Sequence, residues 1–171
     1  MNGFAHGLAG YEIVLGMMMT VQNPSILTIS GLGSCVGLAL RDKRSGISGL
    51  AHVVLPSSND AEDACFSPGR YSDTAVRVLT ERMVSMGADF SQIVAKLVGG
   101  ARVLSVGCFN GWKNVEGARK ELLKVNIKVV AQDVGLNLGR SMKFDTASGV
   151  ITIRRYLRNG GVAALKDVIA I

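Results

Sequence analysis

Residues 31–56 read GLGSCVGLALRDKRSGISGLAHVVLP. A glycine-rich loop, GLGS, runs into the apolar stretch VGLAL, a polar turn DKRSG follows, and ISGLAHVVLP returns. Two apolar segments around a Ser/Gly-containing turn predict an antiparallel hairpin, ended by Pro56 because proline cannot donate to a strand ladder. Paired residue numbers in such a hairpin have a constant sum, so a turn centred on Lys43 and Arg44 sets Cys35 opposite His52 on one face. A thiol facing an imidazole beside a loop that can host an oxyanion points to acyl-transfer chemistry, with Cys35 as nucleophile and His52 as base. On spacing alone a plainer reading stays open, in which the cysteine is a small buried hydrophobe and the histidine a hydrogen-bonded filler.

Outward from this hairpin, Tyr11 to Val21 reads as one strand ended at Asn23 and Pro24, and Ile26 to Ile29 begins another. Residues 57–70 are polar and predict an exposed loop. A helix follows, with Ser72 as N-cap, Asp73 in the first turn, an apolar stripe of Ala75, Val76, Leu79, Met83 and Met86, and Gly87 at its end. Ile93 to Val98 predicts a buried strand running into Gly99, Gly100 and Ala101. A second helix, capped by Asn114 and carrying Val115, Ala118, Leu122 and Val125 on one face, leads to the strand IKVVAQDV. Then come the loop GLNLGR, the strand SMKF, the turn DTASG and the strand VITIRRY. Strands outnumber helices without regular alternation, which predicts an α+β fold of mixed sheets layered with helices. Residues 1–171 are read as one domain, with 1–10 as a flexible leader.

The 171 residues are 48% hydrophobic, enough for one sizeable core. No Lys or Arg precedes Arg41 and no apolar run approaches the ~18 residues of a membrane span, so the expectation is a cytoplasmic protein without membrane insertion. Cys35, Cys65 and Cys108 are irregularly spaced with no CxxC, and two histidines accompany them, a set that supports neither a disulfide framework nor a metal site. Cys65 and Cys108 have no nearby histidine and read as incidental thiols; His6 reads as solvent-exposed. The net charge of +6 is uneven: residues 1–85 hold six Lys/Arg against seven Asp/Glu, residues 86–171 thirteen against six. The basic half either steers an acidic partner or is a solvated surface. Its spread cations and few aromatics argue against nucleic-acid binding.

The Gly-Ser-Cys of residues 33–35, followed at matching separation by Ala-His-Val-x-Leu-Pro, resembles the signature segment of the CheD family. GRYSDTAVRVL (69–79) is similar to that family's Tyr-x-Asp-Thr-Ala-Val helix start, and AKLVGGA (95–101) to its Ala-Lys-x-x-Gly-Gly-Ala. The resemblance spans about Tyr11 to Tyr156 and weakens after Arg102. It implies a cysteine hydrolase, without metal or organic cofactor, that deamidates glutamine side chains on cytoplasmic helices of chemoreceptors during chemotaxis adaptation. Related enzymes also hydrolyse glutamate methyl esters there. Cys35 matches the family nucleophile and His52 its base. Backbone N–H groups from Gly33 through Ser34 to Cys35 would hold the tetrahedral intermediate, and a thioester would follow. The implied fold is an α+β arrangement shared with cysteine-dependent deamidating toxins, and the implied partners are methyl-accepting chemotaxis receptors and the CheC phosphatase.

The sequence departs from the family at defined points. A threonine six residues before the nucleophile is the family's usual third catalytic member, and the ungapped position here is Ile29, which cannot orient an imidazole. Ser30 is the candidate replacement; it faces away from Ile29 on a regular strand and needs a bulge to serve, and it also reads as a turn cap. A backbone carbonyl can hold the ring instead. The family's Asp-Thr-Gly-Gly-Asn is DVGLN (133–137) and its Gly-x-Arg-Asn is GWKN (111–114), changes placed where receptor or CheC docking is expected. Ile29 therefore keeps open a second function, a catalytically weak regulatory module that binds CheC or receptors. A peptidase would use the same Cys/His logic on main-chain amides.

Overall fold

Along residues 36–40 both sets of alternating side chains are enclosed: Val36, Leu38 and Leu40 on one face and Ala39 on the other are at most 2% exposed. A strand buried on both faces has to lie between two layers. A computed structural model describes residues 8–60, 67–102, 111–159 and 162–171 and shows this arrangement. His6, Cys65 and Cys108 lie outside the described residues.

The strands are β1 (Ala9–Glu12), β2 (Met18–Val21), β3 (Ser25–Leu32), β4 (Val36–Asp42), β5 (Ser48–Val53), β6 (Ile93–Gly99), β7 (Lys128–Val134), β8 (Gly139–Asp145), β9 (Ile151–Asn159) and β10 (Val162–Ala170). The helices are α1 (Ser72–Ser85) and α2 (Gly111–Lys124). Two mixed five-stranded sheets result, in the orders β1-β3-β8-β9-β10 and β2-β5-β4-β6-β7. The second is the middle layer. On one side Leu38, Ala51, Val53 and Leu97 pack with Leu79 and Met83 of α1 and Val115, Ala118 and Leu122 of α2. On the other, Ala39, Leu50 and Val98 meet Leu27, Ile29, Met142, Phe144 and Ile153 of the first sheet. Helices, sheet and sheet thus stack as one α+β body, the class the sequence predicts. Among the described residues no helix is long and apolar enough to cross a membrane.

Four expectations need correction. Tyr11 to Val21 is not one strand: β1 pairs parallel with β3 in one sheet, β2 antiparallel with β5 in the other, and the chain turns between them at Gly16 (φ +76°). β1 also takes in Ala9 and Gly10, which the sequence assigns to the leader. The β4–β5 register differs by two residues, so His52 pairs with Gly37 and not with Cys35. Its turn is displaced because the buried Asp42 carboxylate accepts from the N–H groups of Arg44 and Ser45 and from the Ser45 hydroxyl, while Gly46 takes a positive φ. Neither predicted helix cap is a cap. Ser72 is the first residue of α1, its buried hydroxyl donating to the carbonyls of Leu55 and Asn114, and Asn114 lies inside α2. Gly87 does occupy a left-handed position after α1. Strand β10 is an addition to the sequence reading; its largely exposed side chains carry no clean alternation.

At Gly37 the two sheets approach so closely that a Cβ would collide with Met142 Sδ and touch Ile29 and Leu32. Gly37→Ala is expected to lower the unfolding free energy by about 1–3 kcal/mol through overpacking, read as a lower urea midpoint.

Candidate active site

Strands β3 and β4 belong to different sheets, so Gly33, Ser34 and Cys35 form the crossover between layers. All three carbonyls of the crossover are held. Ala101 N–H donates to Gly33 O at 2.8 Å, Asn114 Nδ2 to Ser34 O at 2.9 Å, and Gly100 N–H to Cys35 O at 2.8 Å. Asn114 Nδ2 also reaches Val54 O at 2.8 Å, tying the crossover to the end of the β5 hairpin arm. The paired glycines are required: Gly99 has φ +113° and a Cβ there would run into the Cys35 carbonyl, while Gly100 has φ +63°.

A second set of bonds braces those glycines. Gly135 N–H donates to Gly99 O and Arg102 N–H to Leu136 O. The loop carrying Gly135 and Leu136 is wrapped around Arg140, fully buried, whose guanidinium grips the Asp133 carboxylate and donates to the carbonyls of Gly135 and Leu138. Leu136 sits at φ +59°, a costly conformation for a γ-branched residue, at a position where glycine is the residue the DVGLN departure replaces.

His52 is 4% exposed on β5. It pairs with Gly37, and Cys35 lies two residues before Gly37, so the two-residue register difference keeps imidazole and thiol on the same face, toward the first sheet. Cys35 lies immediately before β4 and packs against the core of the first sheet, and Gly37, opposite His52, puts no side chain on that face. The ring Nδ1 lies 3.3 Å from Ile13 O. A carbonyl only accepts, so Nδ1 carries the proton and Nε2 presents a lone pair. Nε2 is buried and has no hydrogen-bond partner among the described residues. The backbone on either side is fastened as well: His52 N–H donates to Met17 O and Gly16 N–H to His52 O, both at 3.0 Å. Ser67 Oγ donates to Gly16 O, and Gly69 packs so closely on Gly16 and Met17 that a Cβ would not fit.

Electrostatically the pair rests neutral. Burial pushes the Cys35 thiol above its usual 9.0, opposed by the Arg70 guanidinium and by the residue's own N–H. Burial pushes His52 below its usual 6.5, opposed by the Ile13 carbonyl and by Glu12. Sequence reasoning missed Arg70 and, while allowing that a backbone carbonyl holds the ring, did not place it at Ile13. Arg70 sits inside the GRYSDTAV motif, but its nearness to a thiol 35 positions away carries no local spacing signal, and a main-chain carbonyl has no sequence signature. Ser30 does not bond to His52: a bulge does fall between Ile29 and Leu32, yet Ser30 is exposed, its N–H donating to Glu12 Oε1 at 2.9 Å. Ile29 is fully buried against the Gly37 face. No group of His, Cys, Asp and Glu among the described residues is arranged to hold a metal.

The profile of the CheD family, described as CheD chemotactic sensory transduction, matches residues 54–155. The chain is 38% identical over 144 residues to "Chemoreceptor glutamine deamidase CheD" of Thermotoga maritima, covering 84% of this chain and 90% of that protein. It is 36% identical over 154 residues to "Probable chemoreceptor glutamine deamidase CheD" of Geobacillus kaustophilus, covering 86% and 89%. A protein of the same designation from Methanococcus vannielii is 40% identical over 127 residues, 72% of this chain and 81% of its own.

The lowered His52 value has a definite sign in stability. Below about pH 6.5 the unfolded chain takes a proton on His52 that the folded chain refuses, so the unfolded state binds more protons and stability falls as pH drops through this range. The urea midpoint is expected to fall between pH 7 and pH 5, and to fall less in His52→Gln. The raised thiol predicts that alkylation of Cys35 by iodoacetamide keeps accelerating beyond pH 9; a plateau near neutrality would contradict a resting neutral pair.

Proposed function

The chain belongs to the CheD family, and we propose that it is a chemoreceptor glutamine deamidase, a hydrolase of side-chain amides working through a Cys/His thioester mechanism in chemotaxis adaptation. The observation that carries the mechanism is the unpartnered Nε2 of His52, buried on the same sheet face as Cys35 while Nδ1 is held by Ile13 O. When a glutamine side chain reaches Cys35, the thiol proton passes to Nε2 and the sulfur forms a bond to the amide carbon. The oxygen gains negative charge and is stabilised by the N–H groups of the Gly33 to Cys35 crossover, with Arg70 supplying positive potential. Nε2 then returns its proton to the amide nitrogen, the C–N bond breaks and ammonia leaves a thioester. Water, deprotonated by His52, attacks that carbon; the C–S bond breaks, glutamate is left and the thiol is restored.

The Ile13 carbonyl, in place of a hydroxyl at position 29 or Ser30, supplies the hydrogen bond that fixes the imidazole. Methyl-accepting receptors are the proposed substrates and the CheC phosphatase a proposed partner. A target on the cytoplasmic part of a receptor places the enzyme in the cytoplasm. Ile29 favours one other reading, a regulatory module that binds receptors or CheC without efficient turnover.

Mass spectrometry of a receptor cytoplasmic fragment separates the two. The wild-type chain is expected to add about 1 Da at each converted glutamine and to release ammonia, with both signals lost in Cys35→Ala and in His52→Ala. Receptor binding without conversion by the wild type would establish the regulatory module. Asn114→Ala leaves the Ser34 and Val54 carbonyls without their donor, a cost of about 1–3 kcal/mol. It is expected to reduce kcat about tenfold with KM little changed.

A further inference from the structure

At the other end of β4 from Cys35, about 20 Å along the strand, the space between the sheets opens in a cavity of about 190 Å³. Arg41, Lys43 and Lys96 line it together with the apolar Phe144 and Val130, and no carboxylate is among its lining residues. Arg41 and Lys96 stand on the same sheet face, since Lys96 pairs with Ala39 and Arg41 is two residues further along β4. Both are half-buried, and among the described residues both bond only to main-chain oxygens. Arg41 Nε lies 3.2 Å from Thr146 O and Nη2 2.9 Å from Ala147 O, while Lys96 Nζ lies 2.9 Å from Gly149 O.

The other partly or fully buried arginines are matched to charge or to chemistry. Arg140 holds Asp133, Arg155 holds Asp167, Arg119 holds Glu116, and Arg70 stands by the Cys35 thiol. Arg41, Lys43 and Lys96 form no ion pair among the described residues. Two cations side by side repel, and burial followed by the Arg41 charge pushes the Lys96 ammonium down. Carbonyl dipoles offset part of this, yet each cation keeps donor hydrogens free for a further acceptor. An anion in the cavity would meet a guanidinium and an ammonium at once, in a partly desolvated setting where charge-assisted hydrogen bonds are strong.

We propose that this cavity binds an oxyanion, a phosphate or carboxylate group, between Arg41, Lys43 and Lys96. The site is separate from the catalytic crossover and does not depend on the deamidase assignment. Thermal melting of the full chain is followed while sodium phosphate, and in parallel sodium acetate, replaces sodium chloride at constant ionic strength. A saturable rise in Tm is expected with phosphate, its half-saturation concentration about tenfold higher in Arg41→Gln and in Lys96→Gln. Saturation by phosphate alone assigns a phosphoryl ligand; saturation by both ions assigns carboxylates too, including an acidic side chain of a partner. A rise that is linear in salt, as general surface exclusion produces, overturns the proposal, as does an unchanged half-saturation in both variants. If Arg41→Gln does not fold, Lys96→Gln, which keeps a donor for Gly149 O, decides alone.

Discussion

The crossover of Gly33, Ser34 and Cys35 from one sheet to the other is the constraint around which the molecule is organised. A chain that leaves one layer for another cannot use ladder hydrogen bonds, so its carbonyls need partners from elsewhere. Here they come from three separated parts of the sequence: the Gly99–Ala101 segment, Asn114 in α2 and, one step removed, the loop gripped by Arg140. The buried Arg140–Asp133 pair therefore serves more than stability. Removing one partner of such a pair leaves an uncompensated charge at a cost of about 3–5 kcal/mol, and the loop it holds is the brace for Gly99.

With the carbonyls of the crossover occupied, Cys35 is carried by a backbone with little freedom to move. The resting pair is neutral because burial acts on thiol and imidazole in the same sense, against charge. A neutral imidazole with its proton fixed on Nδ1 is already a base at Nε2. In the proposed mechanism the step that creates charge is confined to the moment when a substrate carbonyl is there to be attacked, and the Arg70 guanidinium, which opposes the rise of the thiol, favours negative charge there.

Much of this architecture was legible in the sequence. The apolar stripes of α1 and α2, the buried β6 and the β8–β9 hairpin follow from periodicity, which depends only on local geometry. The common face of Cys35 and His52 was legible for a subtler reason: side chains alternate with period two, so a register slip of two residues, set by the Asp42 turn, leaves the faces unchanged. What escaped was tertiary. Ser72 and Asn114 look like helix caps by residue type, but both spend their side chains on carbonyls of distant segments. The split of Tyr11 to Val21 into two sheets turns on one left-handed glycine within an apolar run, and β10 lies on a sheet edge where exposure erases the pattern.

The hydrogen bond from His52 to Ile13 carries a consequence for genetics. Its acceptor is a main-chain oxygen, present whatever residue occupies position 13, so alanine scanning or random side-chain replacement there leaves the acceptor in place. The Ile13 side chain is itself 3% exposed in the core with Leu27, Ile29 and Met142, so what limits replacement there is packing and not the hydrogen bond. The acceptor itself depends on the positions that set the path of the backbone, above all Gly16 and Gly69. At position 13 the side chain answers to the core and the carbonyl to the imidazole, two roles that a side-chain replacement separates.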